Sequence, residues 1–373
     1  MANDLTRPLG LAKPSPGRRR LYLAAGIVIG FASTAGIAAL SSFLFADPGE
    51  REAIAIGMID EHQDSSADAT SPAPSATGLI ELIPDGALSQ ISPQAGGLNT
   101  AALQLAATPQ PELIEDGPYG PLPHVGADGT RAVNAYALPF NTAALSADVT
   151  RVAIVITGIG DPASDNRAAV EQLPGAVTFA FSPYGQDLTG LLNDARSRGH
   201  EILLQVPLEP YGYPNNDPGP HTLTVDAPAT QNIDRLHWLM SRITNYVGVI
   251  NFLGARFTSD DAALTPALAE IGERGLLYLD DGTSRASRAG VLAGEHVPFL
   301  QADIVLDAIT ETAAIDERLD EAVTIATRQG YAIAIGTAFP VTIDCIAAFA
   351  KTAEERGIAL VPVTALIDIG KAL

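Results

Sequence analysis

The chain has 373 residues and a formal net charge of −21. Its Lys and Arg are too few and too scattered for phosphate contacts, so nucleic acid is excluded as a partner. One cysteine, Cys345, rules out an intrachain disulfide and a thiolate metal site.

Residues 1–20 form a basic tail ending in Arg18, Arg19 and Arg20. Leu21 to Ala46 follows with no charged side chain. About 20 apolar residues suffice to cross a bilayer, and a secretory signal has a shorter apolar stretch. We expect a transmembrane helix over 21–46, with a cleaved signal peptide as the alternative. Asp47, Glu50 and Glu52 lie beyond it. This charge asymmetry predicts a single-pass inner-membrane protein, N-terminus cytoplasmic and C-terminal part periplasmic.

From 47 to 147 the chain is acidic and rich in Pro, Ala and Ser, as in Ser65–Thr77. Such composition cannot bury enough apolar surface to offset chain ordering, so a disordered linker is expected. An apolar island at 110–125 reads either as a strap packed on the following domain or as more linker.

At Asp148 the pattern changes to short β-branched runs alternating with helical stretches, the signature of a parallel sheet. Strands are expected at Val152–Thr157, Ala176–Phe181, Glu201–Val206, Gly248–Asn251, Leu276–Asp280, Ile304–Leu306, Tyr331–Ile335 and Ala359–Pro362. Helices are expected at Asp165–Leu173, Gln186–Ser197, Ala229–Thr244, Ala262–Arg274, Ala313–Arg328 and Thr342–Glu355. The domain at 148–373 is therefore α/β, a (β/α) barrel or an open doubly wound sheet. In both, function gathers at the C-terminal ends of the strands.

Four strings carry a resemblance: LLQVPLEPYGYPNNDPGPHTL (Leu203–Leu223), NFLGARFTSD (Asn251–Asp260), RGLLYLDDGTS (Arg274–Ser284) and AIAIGTAFPVTI (Ala332–Ile343). Their order and spacing resemble the divergent polysaccharide deacetylases, relatives of the NodB-like carbohydrate esterases. The resemblance implies a distorted seven-stranded (β/α) barrel and de-N-acetylation of a glycan, with an envelope glycan or peptidoglycan-like polymer as partner. In active relatives an Asp and two His hold a divalent metal that polarises the amide and acidifies water.

At the corresponding positions this chain has Thr157-Gly158, Gln205, Phe252 and Thr337. Phe and Gly cannot ligate a metal, and Thr and Gln bind zinc poorly. The expected cofactor is therefore none, unless zinc or another divalent metal sits at a relocated site. Candidate catalytic residues are Asp280, Asp281 and Glu209. Asn251, Arg256, Asp280, Asp281 and Gln205 are candidates for substrate binding. The aspartates also read as a cap joined to Arg256 by an ion pair. Asp217 reads as a turn former, with Glu209 and His221 completing a conceivable relocated site. Two functions remain open: an esterase with an unusual site, and an inactive glycan-binding or scaffold protein.

Overall fold

The computed structural model describes residues 109–140, 149–294 and 297–367. The expected span at 21–46 and most of the linker lie outside these. Among the described residues no helix is long and apolar enough to cross a membrane. By its internal contacts, Gln94–Leu373 forms one compact unit.

The first element is a two-stranded antiparallel hairpin of β1 (Ile114–Gly117) and β2 (Gly120–Pro123). A single turn, α1 (Ala132–Ala135), follows. The parallel strands are β3 (Thr150–Ile159), β4 (Thr178–Phe181), β5 (Ile202–Leu208), β6 (Gly248–Leu253), β7 (Leu277–Asp280), β8 (Phe299–Gln301), β9 (Ile304–Val305), β10 (Tyr331–Thr337) and β11 (Ile358–Leu360). Between them run α2 (Asn166–Gln172), α3 (Leu188–Ser197), α4 (Ala229–Met240), α5 (Asp261–Glu273), α6 (Ala289–Leu292), α7 (Thr312–Gln329) and α8 (Pro340–Ala353).

The sheet order is β8-β7-β6-β5-β4-β3-β10-β9, with β11 also paired to β3. Its outermost strands, β8 and β9, are consecutive in the chain and separated only by Ala302 and Asp303. Ala302 N–H donates to Asp280 O of β7, and Asp303 N–H to Ile333 O of β10. Two edges that share a two-residue link cannot lie far apart, so the sheet is curled.

The strands read as near-continuous apolar runs because side chains are covered on both faces. Val152 to Ile156 is fully buried, as are Phe179 to Phe181 and Ile202 to Leu204. The starts of α2 and α5 are set by carboxylates that accept from the first turn: Asp165 from Ala168 N–H and Asp260 from Ala263 N–H. At the other end, Gly330 takes φ 90°, a conformation that closes α7 and that an L side chain avoids.

Two expectations are corrected. The sheet has nine strands where the resemblance implies seven. Phe299–Gln301 was not expected as a strand, because three residues show no period. The helix expected to reach Thr244 stops at Met240, where the chain turns through Asn245 at φ 61°.

The hairpin packs beneath the N-terminal ends of the strands. Leu113 and Leu122 are buried in the common core, and Tyr136 joins them. Arg274, just past α5, donates to Glu115 (2.8 Å) and to Pro123 O (2.9 Å). The same guanidinium donates to Glu270 (2.5 Å), whose carboxylate also bonds His237 Nε2 at 2.6 Å. Burial pushes the Glu270 carboxyl up, but the bonds from His237 and Arg274 outweigh it and hold it below its usual range. Further on, Leu138 N–H donates to the fully buried Glu201 (2.9 Å), and Arg196 donates to Tyr136 O (2.7 Å).

Leu122→Ala should lower stability by about 2–4 kcal/mol, the cost of a buried leucine truncated to alanine. Tyr119→Ala, at the exposed hairpin turn, should change it by only about 0.5 kcal/mol. Denaturant unfolding of both variants checks this, and equal losses would mean that the hairpin is not part of the core.

Candidate functional site

Side chains alternate between the faces of a strand, so register decides which candidates share a face. Gln205 lies opposite Ile250, and Ile250 opposite Leu279. Gln205, Phe252 and Asp281, the residue just past β7, therefore fall on one face. Asn251 and Asp280 fall on the other. Thr157 pairs with Thr337.

Gln205 Oε1 accepts from Gly158 N–H at 2.7 Å. The two belong to β5 and β3, which β4 separates. Strands two apart in a flat sheet stand roughly 9–10 Å from each other, so this bond is a chord across the concave side of the curl. The glutamine is 5% exposed and fills the floor of the groove. Gly158 has φ 77° at the irregular end of β3, where the register with β4 shifts.

Asn251 joins the ends of β6 and β7. Its Oδ1 accepts from Asp281 N–H (2.9 Å) and its Nδ2 donates to Leu253 O (2.8 Å). Asp280 accepts from Gly282 N–H (2.8 Å) and from Ser287 Oγ (2.5 Å). Asp281 accepts from the Thr283 N–H (2.9 Å) and hydroxyl (2.7 Å). Burial raises the Asp281 carboxyl above its ordinary value, against the bonds from Thr283 and Asn251 that favour its ionised form.

The expected ion pair between these aspartates and Arg256 is not formed. Arg256 bonds Glu209 and also reaches Asp226 at 3.3 Å. The reason is chain direction: Phe257 N–H bonds Glu209 O, which brings the turn after β6 over the end of β5 (3.1 Å). The other Glu209 oxygen accepts from Val225 N–H at 2.6 Å. Glu209, 2% exposed, thus clamps both ends of the long Pro/Gly loop that follows β5. Asp217 accepts from Gly219 N–H within that loop, as a turn residue does (2.9 Å).

His221 stacks on Trp238 with ring centres 3.8 Å apart and planes 3° from parallel. Glu209, Asp217 and His221 are therefore each committed to different partners and do not converge. Among the described residues no three His, Cys, Asp or Glu side chains are grouped closely enough to share a metal ion. The donors present do not fit a catalytic divalent metal. The floor offers one amide already bonded to backbone, a threonine pair and an exposed phenylalanine. Asp281 alone supplies a carboxylate on that face, and three ligands are needed.

Sequence reasoning did not foresee that Thr337 N–H and Thr342 Oγ1 both donate to Asp307 (2.6 and 3.0 Å). Asp307 follows β9, so this fixes the start of α8 to the far edge of the sheet. The signal was weak, because Asp307 lies in no motif. The remaining cleft of note, lined by Leu113, Leu122, Tyr136, Ile243 and Tyr246, lies under the hairpin, at the opposite end from this rim.

An α/β protein with a curled parallel sheet and its polar groups at the strand ends defines the class. Residues 154–367 match the family model described as divergent polysaccharide deacetylase, more than half of the chain. The chain belongs to that family. It is 29% identical over 207 residues to an uncharacterized protein of Haemophilus influenzae, covering 55% of this chain and 73% of that one. It is 27% identical over 200 residues to the uncharacterized protein YibQ of Escherichia coli, covering 52% of this chain and 60% of YibQ. The crystal structure of the uncharacterized protein ATU2773 from Agrobacterium tumefaciens C58 superposes with a TM-score of 0.64 at 46% identity, over 66% of this chain and 99% of that one.

Gln205→Leu should cost about 1–3 kcal/mol, since it strands the Gly158 N–H in the floor, while Gln205→Glu keeps an acceptor and should cost less. Asp281 gives a pH dependence of defined sign. Its folded form holds the proton to higher pH than the unfolded chain, whose value is near 3.8. The stabilisation is complete below that value and is lost as pH rises through the raised one. In denaturant titrations against pH, Asp281→Asn should remove this decline; an unchanged profile would assign the decline to other groups.

Proposed function

We propose that this protein is a glycan-binding member of its family without metal-dependent deacetylase activity, built on a NodB-like barrel and held at the inner membrane by its N-terminal helix. The observation that carries the reading is the Gln205–Gly158 chord. It occupies the floor where, by the resemblance, active relatives assemble a metal and its water. Hydrolysis of an amide without that metal needs another way to polarise the carbonyl and to protonate the leaving amine.

The polar groups nearby are poorly placed to supply it. Asp280, Asp281, Glu209 and Asn251 each hold the backbone or side chains of their own rim. Binding asks less of a site than catalysis, since a sugar is held by whatever faces and hydroxyl partners the rim leaves exposed. Anchoring rests on the uncharged run at Leu21–Ala46 and the arginines before it. Under this reading the domain lies in the periplasm, with an envelope glycan or peptidoglycan-like polymer as its ligand.

Elemental analysis of the purified full chain should find no stoichiometric zinc, and acetate release from chitooligosaccharides should stay at background whether or not a chelator is present. Stoichiometric zinc together with chelator-sensitive release would reinstate the esterase. A reporter joined after residue 47 should be active only if exported, and activity of a cytoplasmic reporter at that junction would overturn the topology.

A further inference from the structure

Most of the exposed large apolar side chains among the described residues gather at one end of the sheet. Phe252 is the last residue but one of β6, and Tyr211, Tyr213 and Ile309 follow the C-terminal ends of β5 and β9; Tyr119 lies on the hairpin and Val291 in α6. Phe252 stands out among them. The four residues before it in β6 are buried, yet Phe252 is 42% exposed. A phenylalanine that ends a buried strand gains nothing for folding by facing water, because its apolar area stays hydrated.

The backbone holds it there at a cost. Leu253 has φ 58°, a left-handed conformation that a bulky L residue avoids, and Gly254 continues at φ 97°. A side chain on Gly254 would run into Leu208. Asn251 pins the turn from beneath by donating to Leu253 O (2.8 Å) while its other amide atom accepts from Asp281 N–H (2.9 Å). Strain of this kind, over-determined by its surroundings, points to a role for the residue it displays.

Tyr211 is close by. Phe252 lies opposite Pro207 in the register of β5 and β6, and Tyr211 follows Leu208 by three residues. Its hydroxyl lies 3.3 Å from Ser259 Oγ, which itself donates to Arg256 O (2.8 Å) in the turn that follows Phe252. Tyr211 is nevertheless 63% exposed, and Tyr213 on the same loop is 36% exposed. The guanidinium groups around them are largely spent: Arg256 on Glu209 and Asp226, and Arg288 on Asp261. Arg285 is the exposed arginine left at this end. Aromatic faces beside hydroxyls and neutralised charges suit the flat, C–H-lined faces of uncharged pyranose rings. An anionic polymer would call for open cationic forks.

We propose that Phe252, Tyr211 and Tyr213 form a stacking strip for the rings of a neutral glycan, so that a position occupied by a metal ligand in active relatives serves here as a sugar platform. The proposal rests on the glycan-binding reading and names the residues that would carry it.

The test is calorimetric titration of the full chain with chitohexaose, a neutral probe, and with polygalacturonate, an anionic one. Wild-type protein should bind chitohexaose and not polygalacturonate. Phe252→Ala and Tyr211→Ala should each weaken binding about five- to tenfold, by loss of apolar contact with one ring. Their melting temperatures should match wild type, because both rings are exposed. Phe252→Trp should retain affinity. Leu253→Gly should raise the melting temperature while weakening binding, because it relieves the turn and frees the ring. If wild type binds chitohexaose and Phe252→Ala and Tyr211→Ala bind it equally well, the strip is wrong and the glycan reading stands. If wild type binds neither probe, both fall. Preference for polygalacturonate overturns the neutral-glycan assignment.

Discussion

The constraint on which the rest of this structure depends is the two-residue link Ala302-Asp303. Within it the chain stops donating to β7 and starts donating to β10. An open parallel sheet can spread its edges, but one whose outer strands are joined this tightly must curl. The curl brings the end of β3 within reach of a side chain on β5, and it gives the domain a concave floor. Both outer strands are also short, three and two residues, which leaves little edge for another chain to pair with. Because the curve is tight, one glutamine amide is long enough to span the floor. The same amide would hang free in a flat sheet.

The site is thus defined by how its polar groups are already used. Glu209, Asn251, Asp280 and Asp281 are all buried and all bonded within their own rim. Each holds a turn, and the turns hold one another: Asn251 links β6 to Asp281, while Glu209 links the loop after β5 to Arg256. A buried carboxylate in such a lattice is costly to remove, because its partners would be left unsatisfied. Among what the rim leaves to solvent are the rings of Tyr211, Tyr213 and Phe252.

Much of the fold is legible in the sequence because its signal is periodic. The strands from β3 to β7, and the helices between them, follow from apolar runs bounded by Asp caps and glycine stops. β8 is invisible, since Phe299–Gln301 is too short to show a period. The face on which each candidate lies is legible only in part. Alternation separates Asp280 from Asp281, but the register that puts Asp281 with Gln205 and Phe252 is a tertiary fact. The partner of Arg256 was missed for a related reason. Asp280 and Asp281 looked like neighbours from their motifs, whereas the turn after β6 crosses over β5 and delivers the guanidinium to Glu209. The exposure of Phe252 is similarly hidden: the sequence marks it as a replaced ligand position just past an expected strand, whereas β6 runs on through Leu253 and its burial pattern changes at Phe252.

The hairpin gives the domain a mechanical polarity. The chain arrives from its N-terminal side at Gln110, whose N–H donates to the Tyr136 hydroxyl (3.0 Å). A load transmitted along the preceding residues therefore meets the hairpin and its Arg274 clasp before it meets the parallel sheet. That clasp is at the foot of the strands, and the aromatic rim is at their head. The entry of the described chain at Gln110 and the aromatic rim therefore stand at opposite poles of the domain. A force applied at Gln110 would strain the foot of the sheet first and reach the rim only through the full length of the parallel strands.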